Sequence, residues 1–178
     1  MTTLFLGLTA ANLIALLIAF ALGFVSIQGD EPSAFYARHL LIGLTSGLLC
    51  ALTHVSVFTY FMATSKWLQA ATEKAALKPQ AYVIPSLVRK GRALRLAMTA
   101  ILITIVMMVA GAGADPTINP LWPSNIHLVL AVAAIIVNCL CAMGEYRLIA
   151  EQARLMDQAA MILGRASDVS IKNVTEQA

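Results

Sequence analysis

Four stretches of this chain carry no Asp, Glu, Lys or Arg: Thr2 to Gly29, His39 to Ser65, Leu96 to Ala114 and Pro116 to Gly144. Crossing a hydrocarbon core of about 30 Å takes roughly 20 predominantly apolar residues, and each stretch is long enough. In lipid every backbone polar group needs an internal partner, which a helix supplies within a single segment. The expected fold class is therefore all-α: an integral membrane four-helix bundle with spans near 4–26, 38–63, 94–113 and 126–147. Composition agrees. Of 178 residues, 60% are hydrophobic and 12% charged, about half the charge of a soluble domain. No basic n-region precedes the first stretch, so it is read as a span rather than a cleaved signal peptide.

Lys and Arg set the expected orientation. Seven lie between Lys66 and Arg95 and four between Arg147 and Lys172, whereas the two short loops hold only Arg38. Basic residues concentrate on the cytoplasmic side, so both termini and the middle loop are expected there, in a bacterial inner membrane. The net charge of +3 suits anionic headgroups of the lipid bilayer. Nucleic acid is excluded as a partner, because it would need a denser basic patch with stacking aromatics.

Two spans are expected to run on into the cytoplasm. "SKWLQAATEKAALK" extends the second until Pro79, and 148–166 forms an amphipathic cytoplasmic helix that extends the fourth. On that helix Leu148, Leu155 and Ile162 recur every seven residues, with Met156 and Leu163 beside them, giving an apolar stripe that must be buried. The stripe is expected to be an assembly face, meeting the second helix, another copy or the headgroup layer. Residues 167–178 read as a polar, weakly ordered tail. The halves of the chain are too dissimilar to read as an internal repeat.

Signatures of enzymes are absent: there is no phosphate loop, nucleophile elbow, HExxH or CxxC. Cys50, Cys139 and Cys141 all lie within spans and read as small apolar fillers. No carboxylate falls inside a predicted membrane core, Glu145 coming closest, which counts against a proton pump. His39 opens the second span and His127 the fourth, both near the outer face. Two imidazoles at one level on different helices are what a haem b or a metal ion requires. His54 lies about 22 Å deeper at 1.5 Å per residue. It is read as one member of a polar intramembrane layer with Asn12, Thr99 (or Thr104) and Asn138, and as a further candidate ligand. Gly43 and Gly47, four apart, have the spacing that lets helices approach closely.

The segment "THVSVFTYFMATSKW" resembles a stretch of the form H-x4-[TF]-Y-F-x2-T-x-[KR]-W in small uncharacterised bacterial four-span inner-membrane proteins. The matching residues are His54, Thr59, Tyr60, Phe61, Thr64, Lys66 and Trp67. The resemblance implies an inner-membrane setting and no activity. The expected function is a non-enzymatic accessory or scaffold subunit that assembles as a homo-oligomer or within a larger membrane complex. The alternative is an electron-transfer subunit binding haem b or a metal through His39 and His127, with His54 as a further candidate.

Overall fold

Helices α1 (Thr2–Ser26), α2 (Ala34–Lys74), α3 (Pro79–Gly113) and α4 (Ser124–Glu176) make up nearly all of the computed structural model. It describes residues 1–26, 34–115, 117 and 119–176, with side chains described at 1–25, 35–115, 117 and 119–165. No strand occurs among the described residues, and all four helices are long and apolar enough to cross a membrane. The fold is an all-α four-helix bundle. At 1.5 Å per residue, the 41 residues of α2 and 53 of α4 are about 60 and 80 Å long. The C-terminal segment departs from the expected loose tail, because α4 continues through Glu176. Gly164 alone does not stop it, and no proline follows.

Buried residues repeat every seven positions along the inner faces. On α2 they include Cys50, Val57, Thr64 and Ala71, with His54, Phe61 and Leu68 between them. On α4 they are Asn138, Glu145, Gln152 and Ala159, and on α3 Ser86, Ala93, Ala100 and Met107. Seven-residue spacing keeps one seam facing its neighbours and produces the left-handed packing of bundles. Neighbouring helices pack in chain order, α4 closes on α1, and α2 also touches α4 across the centre, whereas α1 and α3 do not meet. The seams of α2 and α4 thus form the middle of the molecule.

That centre is an approximate two-fold axis. Residues 88 apart meet there, Cys50 with Asn138 and Thr64 with Gln152. The same shift carries buried Phe5, Leu16 and Ala19 of α1 onto buried Ala93, Thr104 and Met107 of α3. The chain is therefore two helical hairpins in parallel, related by an axis along the bundle, as in parallel membrane repeats. Residue type marks this repeat at few positions: none of the five pairs just named matches in type, whereas burial recurs.

The hairpins join through a tight turn. Ala76 takes a left-handed backbone (φ 48°), while Leu77 N–H bonds to Thr72 O at 3.0 Å and Ala76 N–H to Glu73 O at 3.3 Å. This is a Schellman closure of α2, and its left-handed position normally holds glycine. Ala76→Gly is expected to raise stability by about 0.5–1 kcal/mol, since it relieves the Cβ clash. Equilibrium unfolding in detergent would read the gain. Pro79 then starts α3 behind Lys78, at the one position where a missing N–H costs nothing.

Candidate functional site

At the end of the bundle remote from the α2–α3 turn, the two hairpins place equivalent histidines against each other. His39 and His127, related by the two-fold shift, have ring centres 6.0 Å apart and planes at 75°. Each is anchored in the same way to the other helix of its hairpin. His39 Nδ1 donates to Ala19 O at 2.7 Å, and His127 Nδ1 donates to Met107 O at 3.1 Å. Both bonds span 20 residues. One turn further along each helix a glycine makes room for the ring. A Cβ on Gly23 would lie 3.0 Å from His39 Cε1, and one on Gly111 would lie 2.9 Å from His127 Cε1.

This anchoring has a chemical consequence. An imidazole that donates from Nδ1 to a carbonyl carries its lone pair on Nε2, the arrangement by which proteins orient metal-ligating histidines. Metal–nitrogen bonds of about 2.0–2.1 Å would put two ring centres on one ion roughly 5–6.5 Å apart, and the observed 6.0 Å falls in that range. Two imidazoles are also the complete axial set of a b-type haem. Both rings are half-buried. Asp115, in the loop after α3, adds charge at this end. Hydrogen bonds from Thr117, then from Tyr36 one turn before His39, hold its carboxyl below the usual range. The result is a fixed negative charge at the same end of the bundle as the two rings. Among the described residues no third His, Cys, Asp or Glu joins the pair as a ligand cluster.

The loop that follows is tied down over α3. Trp122 Nε1 donates to Ala110 O at 2.8 Å and its ring lies on Gly113, while Leu121 N–H reaches Gly113 O at 2.8 Å. Glycines 111 and 113 thus seat side chains of α4 and its lead-in. Of the pair in "GLTSG", Gly47 lies under Met108, and Gly43 faces open space.

His54 is elsewhere and differently engaged. Its Nδ1 lies 2.9 Å from Glu145 Oε1 and 3.0 Å from Oε2, with the ring donating to the carboxylate. Both side chains are buried, 2% and 0% exposed. This corrects one expectation: a carboxylate does lie at the depth of His54. His54 itself stands about 22 Å along α2 from His39 and is bonded to Glu145. Counting from the end of the charge-free stretch places Glu145 at the membrane edge, but the two-fold register sets it beside the residue one turn past Cys50.

The pair also breaks the symmetry of the bundle. Shifted to the other hairpin, His54 and Glu145 correspond to Ala142 and Val57, which belong to the apolar core there. One turn nearer to His39 and His127 is a polar layer of Asn138, Thr104 and Cys50. Asn138 Nδ2 donates to Thr104 Oγ1 at 3.1 Å and Ala134 O at 2.9 Å, and Cys50 Sγ lies 3.3 Å from Asn138 Oδ1. Thr104, not Thr99, supplies α3's member, since Thr99 is exposed. Asn12 is buried, but its Oδ1 has no hydrogen-bond partner. Cys50 is therefore a bonded member of this layer rather than only a filler.

Further inward, Gln152 Nε2 donates to Thr64 Oγ1 at 3.1 Å and to Ser86 Oγ at 2.8 Å, and Ser86 also contacts Ser65 Oγ at 2.8 Å. Fully buried Phe61 and Ile149 separate this cluster from Glu145, so the polar residues do not form a continuous path. The expected assembly face is largely used within the chain. Leu148 packs with Phe61 and Ile149, and Leu155 packs with Leu68 of α2 and Ala159, with Met156 and Tyr82 beside them. Ile162 and Leu163 are half-buried.

The glycine seats make a prediction. Gly111→Ala puts a methyl group into the His127 ring and must displace it from Met107 O. Loss of such an orienting bond costs about 10–100-fold in metal affinity. The same loss is expected here, read by competition with a coloured chelator. No protein-family model, no curated protein and no solved structure matches this chain.

Proposed function

We propose that this chain is an accessory membrane subunit that holds a redox-active metal between His39 and His127, as haem b or as a copper or iron ion, for electron transfer. The observation that carries this reading is the meeting of two equivalent imidazoles at 6.0 Å, each with Nδ1 committed to a backbone carbonyl. Each ring keeps its Nε2 free of the backbone carbonyl that Nδ1 binds, and imidazole suits copper, iron and zinc. A pure scaffold has no need of half-buried rings held in a fixed tautomer.

The setting is a bacterial inner membrane with both termini cytoplasmic, supported by the basic residues between Lys66 and Arg95 and by the resemblance of the His54–Trp67 segment. The metal then sits at the outer face, beside the Asp115 charge. An electron carrier of this kind works with a donor and an acceptor, which is the sense in which it is accessory. His54 and Glu145 hold the two hairpins together beneath the site. Elemental analysis and an optical spectrum of protein purified from membranes test the reading. One equivalent of haem, or of copper or iron, per chain is expected. Protein that stays colourless and metal-free after incubation with haemin, copper and iron would contradict it.

A further inference from the structure

About 30 Å along α4 from His127, α3 and α4 flank an open cleft of about 470 Å³ lined by Arg92, Arg95, Arg147 and Glu151, with Leu96, Thr99 and Gly144 among its walls. Its one carboxylate is already engaged, because Arg89 Nε donates to Glu151 Oε2 at 3.0 Å. The other three guanidinium groups have no carboxylate partner among the described residues. They come from two helices and converge on one space. The cleft therefore carries an excess of about three positive charges.

Its position is equally specific. Arg95 is the last charge before the apolar stretch of α3, and Arg147 follows closely on the end of that of α4. The arginines thus lie where hydrocarbon gives way to headgroups. Beyond them, towards the membrane centre, the same two helices expose Met98, Leu102, Leu140 and Met143. Leu96 covers Gly144 at the floor, with its Cδ1 2.8 Å from where a Cβ would be. The result is a cationic pocket that opens onto a lipid-facing apolar surface.

We propose that the Arg92–Arg95–Arg147 cleft binds the headgroup of an anionic phospholipid, with its phosphodiester on the guanidinium groups and its acyl chains along α3 and α4. Guanidinium forks match phosphate oxygens in bidentate geometry. Basic pockets between membrane helices at this depth recognise lipid headgroups. No aromatic side chain is among the lining residues, so the cleft has no platform for stacking a nucleotide base.

The test is lipid retention by full-length protein in nanodiscs of mixed phosphatidylglycerol and phosphatidylcholine, read by native mass spectrometry. Phosphatidylglycerol is expected to be enriched about tenfold over phosphatidylcholine on the protein. The double variant Arg95→Gln/Arg147→Gln should lose most of that enrichment. The double variant Lys74→Gln/Lys78→Gln removes the same charge outside the cleft and should keep it. Equal retention of both lipids would overturn the proposal. So would an equal loss in the two double variants, or displacement of the lipid by millimolar inorganic phosphate, which would make this a site for the free anion.

Discussion

Glu145→Ala is expected to destabilise the protein by about 3–5 kcal/mol, the cost of removing one partner from a buried ionisable pair. His54 would be left at 2% exposure with no acceptor for its Nδ1 proton. Equilibrium unfolding in detergent micelles measures the loss. The contrast within the molecule is Arg89 with Glu151, where the guanidinium is 20% and the carboxylate 53% exposed. Solvent screens a pair open on its carboxylate side, so Glu151→Ala should cost clearly less than Glu145→Ala.

Replacing both members should behave differently. His54→Ala with Glu145→Val copies the residue types of the equivalent positions, Ala142 on α4 and Val57 on α2, which belong to one apolar cluster. An apolar pair that fits the same backbone is often as stable as the ion pair it replaces. The double variant should therefore recover most of what either single change loses. Simple addition of the two losses would mean that His54 and Glu145 are not coupled.

The second large effect concerns the outer site. With His39 and His127 as the two protein ligands we propose, His39→Ala or His127→Ala is expected to lower metal or haem content from one equivalent per chain to near zero. Neither change should unfold the bundle, because each ring is half-buried and forms a single backbone hydrogen bond. Metal content and circular dichroism on the same preparations separate these effects. His54→Asn should leave metal content unchanged, because His54 lies about 22 Å away along α2.

The class of fold was legible because charge is so costly in hydrocarbon: four charge-free stretches permit few structures other than four spans. The meeting of His39 and His127 was legible as well, since both open spans that run in the same direction. Glu145 was not, because a boundary drawn at the last uncharged residue treats every nearby carboxylate as interfacial. The missed signal was periodic. Asn138, Glu145 and Gln152 lie seven apart on one face of α4, and polar residues on a buried heptad seam need partners. Cys50, His54 and Thr64 supply them from α2. Thr99 and Thr104 could not be distinguished by depth alone, and only the seven-residue seam places Thr104 inside. The two-fold repeat stayed hidden because its halves share burial more than residue type.

X-ray absorption at the metal edge of the loaded protein reads whether His39 and His127 together hold one metal. Scattering from two imidazole ligands on one metal per chain is expected, reduced to one imidazole or lost with the metal in His39→Ala and in His127→Ala. A metal environment without imidazole, or one that neither substitution changes, would contradict it.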